Sequence, residues 1–320
     1  MRMTVMSDDQ RGILCIVIGM FLFSMQDLLI KTMVDQGSLI QIVVMRGLIG
    51  GSLLLLFLRL TGRFTNVGSA YPLLSFTRAI MFYFGFLCFY FALASMPIAE
   101  ATSLFFVSPF FLTILSRIVL KNPVGLYRIG AIIVGFMGML LIIKPDPDEF
   151  NWVALLPVFC ALTYSISMII ARYTREKDSV FQQTCHMYMG SIVFGTTTAL
   201  IMMVIPQPEA DLASISYLFR PWVFDDFFVL MAIGVISAVG TTGIILLISG
   251  YRVGNPAVIA PFEYTMLVIA IIVGIIFFGE YPDAWSLTGM GLIVGSGIFI
   301  FVREGIRKAA PIATKTLLRG

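Results

Sequence analysis

Residues 73–119 read LLSFTRAIMFYFGFLCFYFALASMPIAEATSLFFVSPFFLTILSRIV, a stretch in which only Arg78, Glu100 and Arg117 carry charge. It is too long and too apolar for one helix on a soluble domain. Ser95-Met96-Pro97 divides it into two lengths of about 20 residues, each enough to cross a bilayer. Pro97 suits the first turn of the second helix, where its missing N–H is not needed.

Similar runs extend in both directions. They fall at roughly 13–34, 39–58, 73–94, 97–119, 124–143, 151–171, 181–205, 227–250, 254–278 and 284–302, ten spans in all. Turn-forming sequences separate them, among them Lys144-Pro-Asp-Pro-Asp, Pro206-Gln-Pro and Glu280-Tyr-Pro-Asp. The bulk composition agrees. The 320 residues are 59% hydrophobic and 12% charged, with a mean hydropathy of +0.97, against about 45–50% and about 25% in soluble domains. The 28 phenylalanines exclude disorder. Short alternating strands with aromatic girdles, the mark of a β-barrel, are missing from the pattern.

The distribution of charge sets the topology. With a cytoplasmic N-terminus, 17 of the 21 Lys and Arg fall in the cytoplasmic loops and the two tails, and the acids of the turns collect on the other side. The expected fold is therefore all-α and integral to the membrane, with ten transmembrane helices and both termini cytoplasmic. Asp8 and Asp9 near the N-terminus, with no small-residue cleavage site after the first run, predict a retained first span. A net charge of +3 without a basic stripe excludes nucleic acid as a partner. Cys15, Cys88, Cys160 and Cys185 lack metal-ligand spacing, so neither a metal nor a cofactor is expected.

The spans divide into two sets of five. Phe23-Ser24 and Lys31 in span 1 match Tyr164-Ser165 and Arg172 in span 6 at a constant offset of 141 residues. SMPIAEATSLFFVSP lies over VGNPAVIAPFEYTML at an offset near 158. This predicts a short tail at 1–12, one repeat at 13–145, a second at 151–303 and a basic tail at 304–320. An odd number of spans per repeat inverts the second relative to the first, an arrangement of secondary transporters with a midplane site. Glycines at 130, 135 and 138 and at 289, 291, 295 and 297 close the two repeats. Small residues in lipid serve close helix packing, here including a homodimer contact through helices 5 and 10.

Arg46-Gly47, FALASMPIAEATSLFFVSP at 91–109, Gly130 to Gly138 and FFGE at 277–280 together resemble the EamA-type ten-helix carriers of the drug/metabolite transporter superfamily. The resemblance covers nearly the whole chain. Where the first repeat of such carriers often has Gly-Glu, this chain has Lys121-Asn122-Pro123. The resemblance implies a secondary carrier of a small organic solute in a bacterial-type inner membrane. Its relatives carry amino acids, riboflavin, S-adenosylmethionine, sugars and drugs.

Charge inside hydrocarbon costs about 2.5–3.5 kcal/mol on insertion scales, so each such residue needs a partner or a cavity. Asp27, Lys31, Arg46 and Glu100 are expected to gather at the outer mouth. Two readings stand: pairing of Asp27 with Lys31 and of Arg46 with Glu100 to hold helices, or capture of substrate. In the second, the Arg46 fork takes an anionic or carbonyl group, and Asp27 or Glu100 balances a cation or exchanges a proton. On the inner side, Glu263 follows Pro261, where a loosened helix exposes carbonyls to a ligand. Arg78 and His186 are gate candidates, with snorkelling to water and a loop-facing ring as their simpler readings. Tyr83 and Tyr90, seven residues apart, and Tyr164 with Ser165 suit a flat aromatic solute such as riboflavin. An exporter or importer of amino acids or S-adenosylmethionine is the alternative. A lipid-modifying enzyme or a channel is disfavoured by the single histidine and the lack of a repeated filter. Without an ATP-binding motif, transport uses an exchanged solute or a proton.

Overall fold

The computed structural model describes residues 6–63, 66–120, 125–144, 151–174, 176–205, 213–254 and 259–309. The expected turns at Pro145–Asp148 and Pro206–Pro208, the Lys121-Asn122-Pro123 departure and the tail beyond 309 lie outside the described residues. The described secondary structure is helical throughout: α1 (Asp8–Thr32), α2 (Leu39–Leu60), α3 (Pro72–Leu93), α4 (Ile98–Phe105), α5 (Ser108–Leu120), α6 (Leu126–Ile143), α7 (Leu155–Thr174), α8 (Val180–Val204), α9 (Ala213–Phe219), α10 (Phe227–Val253), α11 (Thr265–Phe278) and α12 (Ala284–Ala309). A 3-10 turn, Ala260–Tyr264, leads into α11. Eight helical segments are long and apolar enough to cross a membrane, and Ile129–Ile143 and Ala284–Ile300 form two shorter apolar helices. This is a multi-pass membrane protein.

Local chemistry explains the helix ends. Ser7 opens α1 and Ser179 opens α8 as capping boxes, with Gln10 and Gln182 reaching back to the cap. The fourth expected span is two helices rather than one. Pro109 has no N–H to give to the carbonyl four residues back, so α4 ends at Phe105 and α5 starts afresh at Ser108. Pro261 has a comparable effect, leaving a 3-10 turn ahead of α11. The two interruptions meet in space, with the Phe106 and Tyr264 rings 4.9 Å apart.

Packing is dominated by pairs distant in sequence: α1 on α10, α3 on α7, α2 on α8, and α6 on α12. Secondary contacts join α2 to α10, α3 to α8, α5 to α7, α1 to α11 and α4 to α11. The α6–α12 seam depends on paired glycines. A Cβ on Gly138 would meet the Gly289 carbonyl oxygen at 2.6 Å, and one on Gly289 would meet that of Gly138 at 2.5 Å. Gly130, Gly291 and Gly295 face open space, and beside Gly130 runs an apolar groove of about 430 Å³ lined by Tyr127, Val134 and Phe299.

Candidate functional site

Four helices, α1, α2, α3 and α10, converge on a buried polar cluster. Asp27 and Gln26 of α1 are 2% and 3% exposed, and Arg46 of α2 is 7% exposed. Tyr90 of α3 donates to Asp27 Oδ1 at 2.5 Å and accepts from Gln26 Nε2 at 2.7 Å. The Arg46 guanidinium lies 4.5 Å from the Phe86 ring centre, and Phe86 packs on Tyr90 at 4.3 Å. Arg46 also acts electrostatically on Asp27. From α10, Gly240 supplies the room: a Cβ there would collide with Gln26 Oε1 and lie 3.3 Å from Arg46 Nε and Nη2.

The cluster is internally incomplete. Asp27 Oδ2, Gln26 Oε1, Arg46 Nε and, one turn earlier on α1, Ser24 Oγ are buried with no hydrogen-bond partner among the described residues. Buried polar atoms are almost always paired, and each orphan costs about 1–3 kcal/mol. Orphaned acceptors of an acid and an amide thus stand beside an orphaned guanidinium donor.

A second group lies toward the other end. Tyr164 of α7 is within electrostatic range of both Arg78 of α3 and Glu263 of the 3-10 turn. Arg78 is 6% exposed and its Nε lacks a partner among the described residues. Aromatic rings link the two groups. Phe89 stands edge-on to Tyr90 at 5.2 Å, Phe105 follows at 6.0 Å, and Tyr164 follows Phe105 at 5.3 Å.

The expected outer cluster of Asp27, Lys31, Arg46 and Glu100 divides in two. Asp27 and Arg46 belong to the central group. Lys31, one turn further along α1, pairs instead with Glu280 and donates to the Met96 carbonyl at 2.8 Å. Glu280 also accepts from the Ile98 N–H at 2.9 Å, capping α4 from across the molecule. It can fold back because Gly279 has φ 64°, left-handed backbone that glycine adopts without strain. The FFGE sequence is thus a helix end that returns a carboxylate to α1 and α4. Glu100 accepts from Ser286 Oγ at 2.7 Å.

The remaining expected site residues have separate surroundings. Tyr83 donates to Thr198 of α8 at 2.7 Å and packs on Phe194. Ser165 donates to the Ser108 carbonyl at 2.9 Å, at the interruption between α4 and α5. His186 holds the Val67 carbonyl at 2.5 Å in the chain between α2 and α3. Gln26 and Gly240 were not singled out from the sequence. An amide next to the only acid of the first span was the available signal for Gln26.

Comparison with known proteins gives a consistent picture. The model of the EamA-like transporter family matches residues 10–144 and 151–302. The chain is 27% identical over 233 residues to the S-adenosylmethionine uptake transporter of Rickettsia bellii, covering 73% of this chain and 74% of that one. It is 28% identical over 241 residues to the riboflavin transporter of Rhizobium johnstonii, covering 75% and 74%. It is 26% identical over 284 residues to a pseudopaline exporter of Pseudomonas aeruginosa, covering 88% and 93%. A solved crystal structure shares the fold, with a TM-score of 0.61 and 15% identity over 94% of this chain and 99% of that one. The matched family and these relatives are transporters, not enzymes.

Proposed function

Given that the chain belongs to the EamA-like transporter family, we propose that it is an alternating-access secondary carrier with its substrate site at Asp27, Gln26 and Arg46. Ten spans form two inverted five-helix repeats, with both termini on the cytoplasmic face of a bacterial-type inner membrane. The packing supports this reading. Exchanging the first five spans for the last five turns the α1–α10 contact into α7–α3, α2–α10 into α8–α3, and α5–α7 into α11–α1. The α2–α8 and α6–α12 contacts map onto themselves, and the α4–α11 contact joins the fourth span to its counterpart, the ninth. Such symmetry suits two halves rocking about a midplane site.

The observation that carries the proposal is the set of orphaned atoms. Arg46 offers a rigid fork to a carboxylate, while Asp27 Oδ2 and Gln26 Oε1 offer two acceptors to an ammonium. The rings from Phe86 to Tyr164 offer stacking and cation–π contact to a flat or cationic body. S-adenosylmethionine, with an amino-acid head, a sulfonium and a purine, meets each of these. Riboflavin is the second reading, favoured by the ring series alone, since it leaves the charged pair without ionic partners. Glu263 and Arg78 serve the same path at its other end, and a proton or a second solute drives the cycle.

Thermal unfolding of the purified protein with S-adenosylmethionine or riboflavin tests the site. S-adenosylmethionine should raise the melting temperature of the parent and not that of Arg46→Ala or Asp27→Asn. A shift that persists unchanged in both variants places the substrate elsewhere.

A further inference from the structure

The two ends of the α2–α8 pair are tied by matching glutamines. Gln41 is the third residue of α2 and Gln182 the third of α8. The offset of 141 that carries Ser24 onto Ser165 also carries Gln41 onto Gln182, and carries the N-cap Ser38 onto the N-cap Ser179. Gln41 is fully buried, and both ends of its amide engage one residue of the segment between α9 and α10. Its Nε2 donates to the Val223 carbonyl at 2.6 Å and its Oε1 accepts from the Val223 N–H at 2.9 Å. Arg220 adds a bond to the Val34 carbonyl at 2.8 Å.

At the opposite end, Gln182 Nε2 donates to the carbonyls of Asn66 and Gly68, in the chain leaving α2, at 2.5 and 3.0 Å. Its Oε1 caps its own helix through the Ser179 N–H at 2.8 Å. Asp178, 2% exposed, accepts from the Ala70 N–H at 2.8 Å and from Ser69 Oγ. Gln182 therefore opens α8 and holds the chain that leaves α2, and Gln41 opens α2 and holds the chain that enters α10. The two ties sit at opposite ends of one antiparallel pair whose members come from different halves.

We propose that Gln41 and Gln182 are positioning residues of the transport cycle, the latches of its two gates. This rests on the carrier reading above. Halves that rock about a central site must part at one end while they stay closed at the other. A side-chain amide bonded to loop backbone is a tie that can be released and remade without disturbing either helix. With both ties made, as here, Asp27, Gln26 and Arg46 of the central cluster are buried. Release of Gln41 opens the end where residues 220–224 lie, and release of Gln182 opens the end where residues 66–71 lie.

The test uses the full chain in right-side-out and inverted vesicles, with its four cysteines replaced and Ser24→Cys as the reporter beside the central cluster. A membrane-impermeant maleimide is applied from one face at a time. Gln41→Leu should raise the labelling rate from the 220–224 face by at least threefold and lower it from the other. Gln182→Leu should do the reverse, and the double variant should return toward the parent. Gln41→Asn and Gln182→Asn, which withdraw the amide by one methylene, should give the same signs if the leucine variants do not insert. Lower melting temperatures with an unchanged ratio between faces, or shifts of the same sign in both variants, overturn the latches and leave the carrier reading standing. A parent reporter reached from one face only, with and without S-adenosylmethionine, overturns the carrier reading and the latches with it.

Discussion

Tyr90 donates a hydrogen bond from its hydroxyl to Asp27 Oδ1 across the α1–α3 interface at 2.5 Å, yet the other oxygen of that carboxylate is buried and unmatched among the described residues. One half of the acid is thus fixed by the protein and the other is left for something else. Tyr90→Phe removes the fixed half and leaves Gln26 Nε2 without its acceptor. The expected cost is about 1–3 kcal/mol in stability, with at least a tenfold drop in exchange rate. Denaturant unfolding and solute exchange on the same preparation check it. Full exchange in Tyr90→Phe would mean that Asp27 needs no orientation.

Two glycines of α10 provide a paired comparison. A Cβ on Gly240 collides with Gln26 and crowds Arg46, whereas one on Gly234 meets nothing within 4 Å. Gly240→Ala should insert and fold but lose exchange. Gly234→Ala should keep exchange and gain up to about 1 kcal/mol from reduced backbone freedom in the unfolded chain. Equal activity of the two would remove Gly240 from the site.

Glu280→Gln isolates the α1–α11 tie. Breaking a fully buried ion pair costs about 3–5 kcal/mol. Lys31 and Glu280 keep 10% and 19% of their side-chain exposure, so a loss of about 2 kcal/mol is expected. Adding Lys31→Met should recover part of it, because the stranded ammonium is then gone. Thermal unfolding of the two single variants and the double variant measures the coupling, and strict additivity would contradict the pair.

Outside the spans, a hydrogen bond from Lys144 and one from the Ser286 N–H hold the Asp283 carboxyl down to about 2. Its folded value lies below the ordinary 3.8, so its contribution is present above that pH and is lost as pH falls toward 2. The pair is solvent-exposed, which keeps the effect small. The gap in melting temperature between the parent and Asp283→Asn should be constant from about pH 7 to 5 and close near pH 2. A gap that survives at the acid end would assign it to something other than ionisation.

The helices were legible in the sequence because apolar length alone dictates them in lipid. The interruption at Phe106-Val107 was not, since Pro109 serves equally well as a first-turn residue and as a break. Lys31 stands one turn from Asp27, which favours a local pair on one helix face. Its choice of Glu280 depends on a left-handed Gly279 some 250 positions away, and no spacing within α1 reveals that. Arg46 and Asp27 stand out in the sequence by their charge. Gln26 and Gln41 carry no such signal, because an amide in an apolar run looks inexpensive, although buried amides need partners as strictly as charges do. The offset of 141 that pairs Ser24 with Ser165 already contained the Gln41–Gln182 match.

The central claim is that the chain exchanges a solute through the Asp27–Arg46 site. Proteoliposomes preloaded with unlabelled S-adenosylmethionine, then given the labelled compound outside, measure this directly. The account predicts uptake accelerated over empty liposomes, abolished by Arg46→Ala and strongly reduced by Glu263→Gln, with both variants inserted normally. Uptake that is indifferent to preloading, or full acceleration in both variants, would contradict it.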